Sequence, residues 1–172
     1  MNKLLKLITL FSLIVLFPNI CFATNIPTPK EEIAKGVYVE RHTIPEKVDK
    51  LFIKVTEKSG DKEYKVFKNI FISEGNEIKE VKSLDIDSDG KNEYLVSMYT
   101  GGSGGFYDLA IIKEKEDGKW ESIWEDSFSQ PNITMGENGN GEIMIEHFEV
   151  INDVPQKVNS VIFYENGKVV KH

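Results

Sequence analysis

The stretch FYDLAIIKEKEDGKWESIWEDSF, residues 106–128, decides the fold, because it contains two strand-forming runs joined by a tight turn. Residues 106–113 and 120–128 are predicted as strands, since apolar and aromatic side chains dominate both runs. Between them, Asp117 is followed by Gly118, which is a strong signal for a hairpin turn. The stretch therefore predicts a pair of neighbouring antiparallel strands.

The same pattern continues in both directions along the chain. Further strands are predicted at residues 51–55, 64–72, 78–86, 94–99, 142–150, 158–164 and 169–170. Turn residues containing Gly separate many of these runs, at 59–61, 74–76 and 166–167. Turns that recur every 10–15 residues, with few helical periods between them, favour an all-β fold built as an antiparallel meander.

One short helix is predicted near the start of the mature chain. Thr28 and Glu31, three residues apart, match a capping box, and Pro29 between them stands at the first helical position. Gly36 is placed where it can end the helix. The expected helix is about two turns long.

The N-terminus has the three parts of a secretory signal peptide. Lys3 and Lys6 give a positive start, residues 7–17 form an apolar run of 11 residues, and Ala23 supplies a small residue for cleavage. A membrane-spanning helix needs about 20 apolar residues, so an anchor is the weaker interpretation. We expect residues 1–23 to be removed and the protein to be exported, either to the periplasm or outside the cell.

The remaining residues, 24–172, have the length of one β-rich domain and an acidic composition. Loss of Lys3 and Lys6 changes the formal net charge from −7 to −9. This charge argues against binding to nucleic acid or to an anionic membrane. Because the only cysteine, Cys21, lies in the signal peptide, the mature chain can form no intramolecular disulfide, cysteine zinc site or thiol nucleophile.

Acidic residues alternate with single spacers between two predicted strands. Asp85, Asp87 and Asp89 are followed by Gly90 and then by Glu93. Carboxylates this close repel one another, and a loop that gathers them typically holds a hard cation such as Ca²⁺, which takes 6–8 oxygen ligands. The alternative is a solvated Asp-Gly turn without an ion. We expect calcium.

Residues 83–96, which contain this loop and the strand after it, resemble the FG-GAP repeat, also called the VCBS-type repeat, of integrin-like β-propellers. The resemblance covers residues 81–128, the length of one blade, and implies four-stranded blades with propeller-like hairpins and Ca²⁺ between two strands. It extends to small exported bacterial proteins in which a glycine-rich turn follows, here residues 101–105.

The spacing and the resemblance together assign roles to the metal ligands. Side-chain oxygens would come from Asp85, Asp87 and Asp89, and Glu93 would close the site. Lys91 would contribute its backbone carbonyl, with its side chain in solvent. An EF-hand needs a bidentate Glu at position 12 of its loop, where this chain has Val96, so the loop is not an EF-hand.

Residues 136–141 repeat the pattern weakly, 51 residues after the acidic loop. Asn138 and Asn140 stand where Asp87 and Asp89 stand, and a strand follows in both cases. A degenerate second repeat would explain this spacing. An ordinary Asn/Gly turn explains it more simply, and we favour the turn.

Two tryptophans and one histidine lie on predicted strands, where the spacing predicts which face each side chain occupies. Trp120 and Trp124 lie four apart on a predicted strand, so they are expected on one face, either in the core or as a platform for carbohydrate. His147 shares a strand face with Ile143 and Ile145, where a hydrogen-bonded, half-buried histidine is more common than a metal ligand.

Three classes of function remain open after these observations. The first, which we expect, is an exported, non-enzymatic, calcium-binding module for binding or adhesion, with an unknown protein or glycan as partner. The second is a hydrolase of an extracellular or periplasmic polysaccharide or other polymer, with a carboxylate pair drawn from Asp108, Glu125 and Asp126. The third is a metal-free structural or inhibitory periplasmic protein.

Overall fold

The structure, a computed structural model, describes residues 30–42, 47–136 and 141–172. The predicted signal peptide lies outside the described residues, as do Thr28, Pro29 and the centre of the weak repeat, residues 137–140. The described residues form eleven strands: β1 (Lys30–Ala34), β2 (Val37–His42), β3 (Val48–Ser59), β4 (Lys62–Glu74), β5 (Glu77–Leu84), β6 (Glu93–Gly101), β7 (Phe106–Glu114), β8 (Trp120–Met135), β9 (Ile143–Ile151), β10 (Val154–Glu165) and β11 (Lys168–Lys171).

The strands form two antiparallel sheets in which chain order equals spatial order. The first sheet contains β1 to β4 and the second contains β5 to β11. Every neighbouring pair is antiparallel, which confirms the predicted all-β meander. Within the described part of the chain there is no helix that is long and apolar enough to cross a membrane.

The predicted N-terminal helix is wrong for its described part, because Lys30–Ala34 form strand β1. These residues pair with β2, and Ile33 and Ala34 pack against the core. Gly36, which was expected to end a helix, instead lies in the turn of the β1–β2 hairpin with φ of +76°. A two-turn helix is marginal by itself, so pairing with β2 and contact with the core decide the local structure.

Strands β6 and β7 lie at the centre of the molecule, because both of their faces are buried. Val96, Met98, Ala110 and Ile112 belong to one apolar cluster with residues of the four-stranded sheet. On the opposite face of β6 and β7, Leu95, Leu109 and Ile111 belong to a second cluster. This cluster also contains apolar side chains of β9, β10 and β11. The seven-stranded sheet must therefore curl, so that its last strands cover the second face of β6 and β7.

A buried ion pair joins the two sheets at one end. Asp49 on β3 is 2% exposed, and its Oδ2 accepts hydrogen bonds from the N–H of Ile78 on β5 (2.9 Å) and from Nη1 of Arg41 on β2 (2.7 Å). Arg41 Nη1 also donates to the Ile78 carbonyl (3.0 Å). These bonds satisfy a carboxylate that would otherwise be costly to bury.

The two tryptophans lie on opposite faces of β8, so the expectation of a shared face is wrong. Trp120 packs against the first cluster and Trp124 against the second. The reason is an extra residue in β8: Ile111 pairs with Trp124 whereas Ile112 pairs with Ser122. A bulge of this kind reverses the alternation of side chains along the strand, and the two rings therefore form no common platform.

Candidate metal centre

The acidic loop lies between β5 and β6, and Asp85 shapes it through the backbone. Asp85 Oδ1 accepts a hydrogen bond from the Asp89 N–H (3.0 Å), and Oδ2 accepts one from the Gly90 N–H (2.9 Å). Gly90 has φ of +81°, a conformation that side chains disfavour. Asp85 thus fixes the turn at the start of the loop, while Gly90 provides the backbone geometry that the turn requires.

Glu93, the first residue of β6, is fully buried and closes the loop from the other end. Its Oε2 accepts a hydrogen bond from the Ile86 N–H (2.9 Å), which ties the end of the loop to its beginning. Its Oε1 accepts a hydrogen bond from Lys113 Nζ (2.9 Å). A buried carboxylate with these two partners holds the loop closed.

Lys113, on β7, also belongs to this cluster, and the sequence analysis did not predict it. Its Nζ lies 2.5 Å from Asp87 Oδ2, 2.8 Å from Asp89 Oδ2 and 2.9 Å from Glu93 Oε1. The neighbouring pair, Tyr94 with Ile112, shows that the register of β6 and β7 places Lys113 beside Glu93. The pairing shifts between Tyr99 and Gly101, so the ends of the predicted strands do not give this register and the sequence alone did not indicate Lys113.

The contacts of Lys113 alter the acidity of the groups involved. Burial alone would lower the pKa of Lys113, but hydrogen bonds to Asp87, Asp89 and Glu93 outweigh it, so the pKa is raised. The hydrogen bond from Lys113, followed by the one from the Lys91 N–H, lowers the pKa of Asp89. The ammonium and the Asp89 carboxylate therefore stabilise each other in their charged forms.

Asp87 contains an atom that these contacts do not satisfy. The side chain is 10% exposed, and its Oδ1 is buried without a hydrogen-bond partner. A buried carboxylate oxygen without a partner costs free energy, and a bound ion or an ordered water molecule would remove this cost. The donor set thus fits a hard cation, since one carboxylate oxygen from each of Asp85, Asp87 and Asp89 lies within 4.8 Å of the others.

All four acidic side chains predicted from the sequence meet in one place. Asp85, Asp87 and Asp89 form the cluster of oxygens, and Glu93 reaches it through Lys113. Lys91 donates its N–H to Asp89 Oδ1 (2.8 Å), and the role of its carbonyl stays a prediction. With four carboxylates against one ammonium the site has an excess of negative charge, which a divalent cation would reduce.

The backbone just before β9 packs closely against this loop. A Cβ on Gly141 would lie 2.4 Å from the carbonyl oxygen of Ile86, between Asp85 and Asp87, and Gly141 has φ of +67°. Gly141 ends the weak repeat recognised in the sequence. Gly141 is therefore a neighbour in space of the acidic loop, and only glycine permits the two backbones to approach so closely at this point.

The carboxylates considered for a hydrolase have other partners. Asp108 accepts hydrogen bonds from Asn76 Nδ2 (2.9 Å) and Ser127 Oγ (2.5 Å), and Asp126 forms an ion pair with Lys171. Glu125 lines the same groove as Asp108 and Asp126. Hydrogen bonds of this kind hold Asp108 and Asp126 in structural contacts.

His147 is buried beside the second apolar cluster and is hydrogen-bonded there. Its Nε2 lies 3.0 Å from Ser160 Oγ, and its ring packs edge-on against Phe128 at 4.8 Å between ring centres. The expectation of a satisfied histidine is confirmed, and its burial is deeper than expected, at 3% exposed.

Comparisons of this chain with protein-family models, with curated proteins and with solved structures found no match in any of the three. The resemblance of residues 83–96 to the FG-GAP repeat therefore stays a prediction, and the case for a metal centre depends on the geometry described above.

Proposed function

We propose that this protein is an exported, non-enzymatic β-domain whose acidic loop binds one Ca²⁺ and is stabilised by it. The observation that carries the proposal is the unpartnered, buried Oδ1 of Asp87, within the cluster formed with Asp85 and Asp89. Carboxylate oxygens are the ligands that Ca²⁺ prefers, and its flexible coordination suits a loop better than the strict octahedron of Mg²⁺.

Each acidic residue of the loop has a place in the proposed site. Asp85, Asp87, Asp89 and Glu93 would contribute side-chain oxygens, and Lys91 its backbone carbonyl. The ion would neutralise repulsion among the carboxylates and would hold the end of β5 to the start of β6. We also propose that this loop is related to the loop of FG-GAP repeats, because the resemblance to those repeats lies in the same residues.

A role in binding or adhesion, with a protein or glycan as partner, is the second part of the proposal. Several large apolar side chains of the β9–β10 hairpin are exposed, including Phe148, Val150 and Val154. Clustered exposed apolar side chains are typical of interaction surfaces. The predicted signal peptide supports an exported location.

Calorimetric titration of the chelator-treated protein with Ca²⁺ tests the metal site. We expect one ion per chain, weaker binding of Mg²⁺, and loss of binding in Asp87→Asn. Asp117→Asn is the matched control, because Asp117 lies in another Asp-Gly turn and accepts a hydrogen bond from the Lys119 N–H. Equal binding by the wild type and Asp87→Asn would overturn the assignment.

Thermal unfolding tests whether the ion is structural. A ligand at one hundred times its Kd adds about 2.7 kcal/mol to the free energy of unfolding. For a domain of this size, that corresponds to a rise in Tm of about 5–10 °C. A shift below about one degree, at a site shown to be filled, would contradict a structural role.

A further inference from the structure

Lys113 occupies the oxygens that the proposed metal ion needs. Its ammonium bonds Asp87 Oδ2, Asp89 Oδ2 and Glu93 Oε1, and it reaches none of the oxygens of Asp85, which accept backbone N–H groups instead. It therefore sits against three of the four carboxylates proposed as ligands.

A divalent ion and this ammonium cannot share those carboxylates at their present distances. Three oxygens within 3 Å of Nζ already surround one positive charge, and a second cation bound to the same groups would be strongly repelled in a partly buried site. Lys113 is only 18% exposed in these contacts, so it is not simply a solvated side chain that passes near the loop.

We propose that Lys113 is a tethered counter-ion that exchanges with Ca²⁺: the ammonium neutralises the loop in the metal-free protein and leaves when the ion binds. This inference rests on the proposed function, since it concerns the regulation of the same site. Lys113 is then the residue that sets the affinity of the site for the metal.

The surroundings of Lys113 provide a destination for the displaced ammonium. A groove of about 670 Å³ adjoins the loop, and besides Lys113 it is lined by five carboxylates and three other lysines, among them Asp89, Glu116 and Lys115. A lysine side chain is long and flexible, so a rotation about its own bonds can carry Nζ from the loop to this open groove, where carboxylates outnumber the other lysines.

The exchange has two consequences for the protein. The loop keeps its closed shape without metal, because the ammonium compensates part of the repulsion among the carboxylates. Calcium must also compete with an internal cation, which lowers its affinity. Extracellular calcium modules bind with Kd of about 10⁻⁴–10⁻³ M, and a competing lysine would bring a four-carboxylate site toward this range.

Three variants of the full chain separate the exchange from general effects. Lys113→Met removes the charge and keeps the length of the apolar stem, and Lys113→Arg keeps a charge. Lys58→Met is the matched control, because Lys58 lies on β3, is 73% exposed and pairs with Glu63, and it lines neither the loop nor this groove.

Calorimetric titration should show that Lys113→Met binds Ca²⁺ at least about tenfold more tightly than the wild type, since a competing cation has been removed. Lys113→Arg should remain near the wild type, and Lys58→Met should stay within about twofold of it. Without calcium the Tm of Lys113→Met should fall below that of the wild type, and saturating calcium should close the gap.

A direct measurement accompanies the titration. In NMR spectra of the metal-free wild type, the ammonium of Lys113 should be protected from exchange with water, and saturating Ca²⁺ should remove this protection. Unchanged or weaker calcium affinity in Lys113→Met, or an ammonium that stays protected at saturation, would overturn the exchange and leave the metal site intact. Absence of calcium binding in both the wild type and Lys113→Met would overturn the site and the exchange together.

Discussion

Two buried carboxylates in this molecule have the same local chemistry and different surroundings. Asp49 accepts one backbone N–H, from Ile78, and one basic side chain, Arg41. Glu93 likewise accepts one backbone N–H, from Ile86, and one basic side chain, Lys113. Both bonds to the backbone are 2.9 Å long, and both residues are almost completely buried.

The difference lies in how many acidic groups share the basic partner. Lys113 also bonds Asp87 and Asp89 within 3 Å, whereas the other acidic groups near Arg41, Glu31 and Glu77, lie at 3.7 and 3.8 Å. The Asp49 pair is therefore close to neutral and complete. The Glu93 cluster has surplus negative charge and an unpartnered oxygen, which is what distinguishes a candidate ion site from a structural ion pair.

The largest effect is expected for Glu93→Gln, measured in saturating calcium. Without calcium the cost should be about 1–2 kcal/mol, because Asp87 and Asp89 still compensate Lys113 after the buried charge is lost. With calcium at one hundred times Kd the wild type gains about 2.7 kcal/mol that the variant lacks, so the difference should rise to about 4 kcal/mol. Urea unfolding with and without chelator measures both values, and a calcium-independent difference would contradict the proposed site.

Asp49→Asn should cost about 3 kcal/mol, with the same value in calcium and in chelator. Removing one partner of a buried pair typically costs 3–5 kcal/mol, and Arg41, which is 32% exposed, can recover some hydration. Glu31→Gln is the control, because Glu31 is largely exposed and lies farther from Arg41. A dependence of the Asp49→Asn cost on calcium would mean that the two carboxylates differ less than the structure indicates.

The sequence predicted most of the fold because the signals from β3 onward are local. Alternating apolar residues and turns with glycine place these strand ends within four residues of the observed ones, except that β8, predicted to end at 128, continues to Met135. Strand β1 was mistaken for a helix because its partner, β2, lies outside the window of the capping pattern. The faces of Trp120 and Trp124 were wrong because one extra residue in β8 reverses the alternation, and composition does not reveal such a bulge.

The acidic residues of the candidate site were predictable from the sequence, whereas the contribution of Lys113 was not. Asp85, Asp87, Asp89 and Glu93 are recognisable from spacing, since all four lie within residues 85–93. Lys113 is 20 residues away from Glu93, and its role depends on the register of two strands. The unpartnered Oδ1 of Asp87 depends on packing around one atom, which no spacing rule describes.

Contact between Gly141, just before β9, and the loop gives a smaller effect that sharpens the comparison, because no glycine among the described residues packs against the backbone beside Asp49. Gly141→Ala should cost about 2–3 kcal/mol, since its positive φ is strained for alanine and its Cβ would collide with the Ile86 carbonyl. Gly90→Ala is the matched control: its φ is also positive, but no atom lies within 4 Å of the added Cβ, so about 1 kcal/mol is expected. Urea unfolding measures both, and equal costs would contradict the close approach.

The smallest effect concerns the titration of Asp89 in chelator-treated protein. Because Lys113 holds the pKa of Asp89 below its ordinary value, Lys113→Met should raise that pKa toward about 3.9, the value in unfolded chains. The pKa of Asp117 is also lowered, chiefly by its hydrogen bonds from Lys119, and it should not change in the same variant. Carbon-13 NMR of the side-chain carboxyl groups distinguishes the two residues.

The direction of the associated pH dependence follows from the depressed pKa. A carboxyl group whose pKa is lower in the folded state stabilises the fold above its unfolded pKa, and it loses this contribution as the pH falls through the folded value. The contribution of Asp89 should therefore be complete above about pH 4 and should disappear in more acidic solution. In Lys113→Met this part of the acid dependence should be absent, while Lys119→Met should retain it. Should Asp89 titrate identically with and without the Lys113 ammonium, the contact that distinguishes this cluster from the Asp49 pair would not exist in solution.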